Sequence, residues 1–171
     1  FATADGRESA RVTAYLVDRR FDYRRFTTGN TQDGMDWALL RLNRPLGDLK
    51  GFANVQNLTA LGRHTALAAT LMQAGYAWDT GDNLAGVTAC HMVAIHADNT
   101  FEHQCDTTRG DSGSPFFVRS GSGFNVVGVD SNFRSRTDGP YINIAVSAAA
   151  FAQHLADFVA GRSGVQVNAK K

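Results

Sequence analysis

Apolar residues in this chain fall into short runs that end at Gly, Asp, Asn or Pro, a spacing that predicts β-strands joined by turns. Residues 11–21 carry Val12, Tyr15 and Val17 and predict a strand, followed by a turn at Thr27-Thr28-Gly29-Asn30. Asp36-Trp37-Ala38-Leu39-Leu40-Arg41-Leu42 is a compact apolar strand that stops at Asn43-Arg44-Pro45. From Pro45 to about Ala60 the chain has Gly47 and Gly51 and little periodicity, as a connector does. Further strands are predicted at 66–74, 86–95, 100–105, 115–119, 124–129 and 141–146. Turn clusters bound them: Asp79-Thr80-Gly81-Asp82-Asn83, Gly121-Ser122-Gly123 and Asp138-Gly139-Pro140. Short strands with turns at this spacing indicate an antiparallel barrel or sandwich. One helix closes the pattern, with Ser147 as N-cap, an apolar stripe of Phe151, Leu155, Phe158 and Val159 for the core, and Gly161 as its stop. Val165–Lys171 reads as a polar tail.

Composition narrows the function classes. The 171 residues suit one domain or two small ones, and 43% hydrophobic with 19% charged residues is ordinary for a globular chain. A formal net charge of +1 makes no electrostatic case for nucleic acid or an anionic membrane. The arginine pairs Arg19-Arg20 and Arg24-Arg25 read as a solvated face. No apolar run has the length of a membrane span, and the first residues, Phe-Ala-Thr-Ala-Asp-Gly-Arg-Glu, are not a signal peptide. Without an initiator Met, a mature, processed or truncated chain is expected. Cys90 and Cys105 have His91 and His103 beside them, but Cys-His…His-x-Cys is not a usual zinc spacing. A disulfide closing a hairpin upstream of Ser112 is the stronger reading, and it implies an oxidising compartment, secreted or periplasmic. No metal and no cofactor are expected.

The stretch richest in chemistry is Arg109-Gly110-Asp111-Ser112-Gly113-Ser114-Pro115. A serine hydroxyl is a poor nucleophile until a base takes its proton and donors receive the charge that builds on the attacked carbonyl. Flanking glycines let the backbone turn tightly and aim its own N–H groups at that oxygen. The same residues also make ordinary turns, so the rest of the chain has to decide.

The order of parts decides it. The 36–42 strand resembles the "D-hydrophobic-A-L-L-x-L" strand of chymotrypsin/trypsin-like serine proteases, and a connector, short strands, Gly-Asp-Ser-Gly-Ser-Pro and a C-terminal helix follow in that family's order. Cys105-Asp106-Thr107-Thr108 ahead of the serine, Gly75-Tyr76, and Tyr141-Ile142-Asn143 look like the bacterial glutamyl-endopeptidase-like branch. The resemblance implies an all-β fold of two antiparallel barrels, the first incomplete here, with a C-terminal α-helix. It implies 1–45 as the last part of barrel one, 46–62 as connector, 63–146 as barrel two, 147–161 as helix and 162–171 as tail. It also implies a serine endopeptidase acting on protein or peptide, with Ser112 as nucleophile, Asp36 as orienting acid and the N–H groups of Gly110 and Ser112 as the oxyanion hole.

One part of that machinery is missing. The family's histidine lies upstream of the aspartate, and no histidine precedes Asp36. His64 falls near the connector, His154 on the polar side of the last helix, and His91, His96 and His103 alternate through the hairpin with surface or pocket-lining roles. The expectation is a chain lacking the first strands and the base, with that segment as a candidate partner chain. Ser and Asp without His leave only residual rate. An inactive homologue kept as a binding scaffold is the alternative. An esterase of another fold would need G-x-S-x-G, and a plain β-domain leaves the Asp36 strand unexplained.

By the same resemblance, the substrate residue before the cut is read by Asp106, Thr107 and Thr108 and by the strand through Asp130, Ser131 and Asn132, which also pairs with substrate backbone. Ser131 matches the hydroxyl that supports the triad aspartate. Asp106 or Asp130 at the pocket floor would favour Arg or Lys. Asp130 stands where glutamyl endopeptidases carry a histidine, which puts acidic specificity in doubt. Asp111 has two open readings, shaping the oxyanion loop or pairing with an N-terminal amine.

Overall fold

Strands carry the architecture. The computed structural model describes residues 8–28, 33–81, 83–136 and 139–167. The strands are β1 (Val12–Val17), β2 (Ala38–Leu42), β3 (Asn54–Val55), β4 (Thr70–Gly75), β5 (Ala85–Ile95), β6 (Thr100–His103), β7 (Pro115–Ser120), β8 (Gly123–Arg136), β9 (Gly139–Ser147) and β10 (Val165–Gln166). β8, β7, β4, β5, β6 and β9 pair in that order, and β9 returns to β8, closing a six-stranded antiparallel barrel. Closure gives each of the six barrel strands a neighbour on both sides, so none of them is an open edge strand. β3 adds to β8 in parallel, and β10, β1 and β2 form a separate three-stranded sheet.

The barrel core is made by inward positions of alternate residues. Leu71, Phe101, Phe116, Val127, Val146 and Cys105 are fully buried. The disulfide between Cys90 and Cys105 ties β5 to the loop after β6. A second cluster joins Trp37, Val146, Ala148, Ala150 and Phe151, with Leu16 and Leu39 packed on it, and fastens the β1–β2 sheet to the barrel.

Several local expectations are corrected. The 66–74 strand divides into a helix at Arg63–Ala68 and β4 from Thr70, because the Ala66-Leu67-Ala68 end of that run is made of strong helix formers. The 124–129 strand is the first half of β8, which runs on to Arg136. The connector holds a short helix at Gly47–Lys50, β3, and a 3-10 turn at Leu58–Leu61.

The closing helix is two 3-10 turns, Ala148–Ala150 and Ala152–His154, and a short α-helix, Leu155–Val159. Ser147 does cap it, accepting from the Ala149 N–H. Phe151 and Phe158 are buried, whereas Val159 is 75% exposed and leaves the stripe. His154 stacks on Trp37, ring centres 5.4 Å apart, instead of facing solvent. The tail contributes β10 on the edge of β1. Gly29, Asn30, Asp82, Asp138 and 168–171, expected in turns or the tail, lie outside the described residues. Among the described residues no helix is long and apolar enough to cross a membrane.

Candidate active site

Asp36 sits between a 3-10 turn, Asp33–Met35, and the start of β2, with its N–H bonded to the Asp33 carbonyl at 2.9 Å. Trp37 next to it is anchored against Phe151 at 6.2 Å, so the local chain direction is set by core packing. The Asp36 carboxylate accepts the Ser131 hydroxyl at Oδ2, 2.7 Å away. Partial burial holds its pKa above the ordinary 3.8; the Ser131 hydrogen bond opposes this rise and the neighbouring Asp33 carboxylate adds to it. Asp33 is itself bonded to the Arg134 guanidinium. Asp36 therefore meets a hydroxyl and, among the described residues, no cation.

The serine lies on a loop moulded by the end of β4. The Trp78 N–H donates to the Arg109 carbonyl at 2.7 Å. Gly110 has φ +100°, and a β-carbon there would lie 2.8 Å from the Tyr76 carbonyl oxygen, so only glycine fits this approach. Gly75 is needed for the same reason, since a β-carbon would sit 1.9 Å from Ser114 Oγ. Asp111 N–H bonds the Thr108 carbonyl, and Ser114 N–H bonds the Asp111 carbonyl. Gly113 N–H donates to the Asp130 carbonyl at 2.8 Å, and Asp130 N–H returns a bond to the Ser114 carbonyl at 2.8 Å.

The donors alternate along this loop. The N–H groups of Asp111, Gly113 and Ser114 are all bonded, whereas those of Gly110 and Ser112 find no acceptor among the described residues. The Ser112 hydroxyl donates to the Ser131 carbonyl at 3.3 Å. Ser131 thus touches Ser112 through its carbonyl and Asp36 through its hydroxyl, which puts the two predicted catalytic residues around one residue of β8.

The remaining predicted residues separate into two groups. Asp106 is exposed, Thr107 is half-buried, and Thr108 gives its N–H to Asp111 Oδ2 at 3.0 Å. Asp106, Thr108, Asp79 and Asp111 line a cavity of about 150 Å³ beside β4 and β5. Asn132 accepts the Phe133 N–H. Asp130 is turned inward, with Oδ1 3.2 Å from Nε2 of His103, and both side chains are buried. His103 packs against Phe101 and Phe116 and is neither a surface nor a pocket-lining residue, because its strand position points into the barrel. His91 bonds the Ala69 carbonyl, His96 pairs with Glu102, and His64 is exposed on a helix. No histidine bonds Asp36 or Ser112 among the described residues.

Sequence reasoning missed Gln73, whose amide donates to Asp111 Oδ1 at 3.0 Å. The signal was present: a polar residue between Leu71 and Gly75 on the inward phase of β4. Both cysteines are consumed by the disulfide, and among the described residues no group of three or more His, Cys, Asp or Glu side chains is arranged to hold a metal. The Trypsin family model matches residues 5–155. No curated protein matches the chain.

Proposed function

The chain belongs to the trypsin family, and from that premise we propose that it carries the nucleophile half of a serine endopeptidase. Family membership supports a serine-protease-like function in general. The observation that carries the specific reading is the pair of N–H groups at Gly110 and Ser112, unbonded among the described residues, flanking a hydroxyl that Ser131 links to Asp36.

In this reading Ser112 Oγ attacks the scissile carbonyl as its proton passes to an imidazole, and the N–H groups of Gly110 and Ser112 receive the oxyanion. The same imidazole then gives that proton to the leaving amine, and water repeats the cycle on the acyl-enzyme. Asp36 holds the imidazole in its working tautomer. Its half-buried carboxylate, which meets no cation among the described residues and is raised in pKa, is what such a ring would relieve. The ring comes from polypeptide outside this sequence, in the same chain or in a partner. The β10-β1-β2 sheet then counts as the end of a first barrel, with 46–62 as connector and 63–146 as the second.

Beyond Asp130, the edge of β8 that faced β7 takes no strand partner among the described residues, leaving Ser131–Asn132 to pair with substrate backbone. Asp106 is the free carboxylate for an Arg or Lys substrate side chain, since Asp130 is committed to His103. The disulfide fits a secreted or periplasmic protein.

A fluorophosphonate probe on the full polypeptide tests this. One adduct on Ser112 by intact mass, abolished by Ser112→Ala, is the expected result. No adduct on a polypeptide that contains the upstream histidine overturns the reading in favour of a binding scaffold.

A further inference from the structure

Asp111 is 4% exposed, and a buried carboxylate is costly unless its oxygens are bonded. Both are bonded here, Oδ1 by the Gln73 amide at 3.0 Å and Oδ2 by the Thr108 N–H at 3.0 Å. Gln73 is 3% exposed, and among the described residues no cation touches Asp111. The segment from Gln73 to Trp78 meets the loop at four successive points. Gln73 holds Asp111, Gly75 makes room for Asp111 and Ser114, the Tyr76 carbonyl abuts Gly110, and the Trp78 N–H holds Arg109.

We propose that Gln73 is the positioning residue that keeps the nucleophile loop in its donor-presenting form, so that no ammonium or guanidinium is required at Asp111. The proposal rests on the reading of Gly110 and Ser112 as oxyanion donors and adds how that site is regulated: it stands ready, with no charged activator. A neutral amide supplies its N–H at every pH at which the protein folds, unlike an ammonium that deprotonates in alkali.

Amide hydrogen exchange on the full chain tests it. Gln73→Met keeps the length of the side chain and removes the donor. Exchange at the Trp78, Asp111 and Ser114 amides should quicken about tenfold or more in Q73M, while Val118 and Val127 in the barrel stay as in the native protein. In the native protein, protection at those loop amides should be the same with and without millimolar ethylammonium, and the same at pH 7 and pH 10 after correction for intrinsic rates.

Native protection in Q73M overturns the proposal, and so does native-protein protection that appears only with ethylammonium. The ethylammonium arm needs no variant, so refutation is possible even if Q73M fails to fold. Exchange reads the loop without any turnover. A missing fluorophosphonate adduct with the loop amides protected would therefore sink the protease reading alone, and unchanged exchange in Q73M would sink this one alone.

Discussion

Ser131 donates its hydroxyl to Asp36 Oδ2 at 2.7 Å across 95 residues of sequence, while its carbonyl accepts the Ser112 hydroxyl. One residue of β8 therefore fixes the distance between a carboxylate on the small sheet and a hydroxyl on the barrel loop. A bridge of this kind holds only if the Asp33–Met35 turn and the barrel dock rigidly, which the Trp37–Phe151 contact and the Asp33–Arg134 pair provide.

Asp36 makes stability depend on pH. Its folded pKa lies above 3.8, so the folded state holds the proton more tightly than the unfolded chain does. The relative stability from this group is full below 3.8 and is lost as pH rises through the folded value. Asp36→Asn should remove that loss, leaving the variant more stable relative to the native chain at pH 7 than at pH 3. Urea unfolding at the two pH values measures it; an equal difference at both would refute the assignment.

Gly75→Ala should unfold or displace the nucleophile loop. The added methyl would lie 1.9 Å from Ser114 Oγ, on a buried residue, and 2.6 Å from Asp111 Oδ1, which the buried Gln73 amide holds. Overpacking of this kind costs about 1–3 kcal/mol. The midpoint of denaturant unfolding should fall; Gly75 has no positive φ, so its variant reads the clash, whereas Gly62→Ala, with φ +97° and nothing within 4 Å, reads backbone strain without a clash.

How much was legible follows from where the information sits. β5 through β9 and the Asp36 strand show in the sequence because alternation and turn residues are local signals. The helix at Arg63–Ala68 was hidden because an Ala, Leu and Thr run has no period that excludes either state. The convergence of Ser112, Ser131 and Asp36 was reached only through family resemblance, since nothing local in Asp36 points to a residue far along the chain. His103 looked like an alternating hairpin histidine. Its burial depends on the phase of β6 inside a closed barrel, which turns His103 toward Asp130 and Glu102 the other way.

Reduction of the disulfide should weaken the barrel without dissolving the small sheet's contacts. Cys90 and Cys105 are 15 apart in sequence, and closing a loop of about that size stabilises by roughly 3 kcal/mol. Thermal unfolding with and without reductant reads the loss. An unchanged midpoint would mean that the β5–β6 pairing alone carries this hairpin.

The His103–Asp130 pair should show strong coupling. His103 has no exposed side-chain surface; its Nε2 faces Asp130, and its Nδ1 has no partner among the described residues. The neutral ring with hydrogen on Nε2 satisfies Asp130 and leaves only a lone pair unbonded, whereas hydrogen on Nδ1 alone would orphan a donor and set a lone pair against a carboxylate. His103→Leu removes the hydrogen-bond partner of Asp130 Oδ1 in the interior, which costs about 1–3 kcal/mol. His103→Leu with Asp130→Val replaces both groups by apolar ones and should recover most of that loss. Because Asp130 also clasps Gly113 and Ser114 through its backbone, the single variant should speed exchange at the Gly113 amide more than the double does. If the double variant is no more stable than His103→Leu, the two side chains act independently and the dyad does not brace the nucleophile loop.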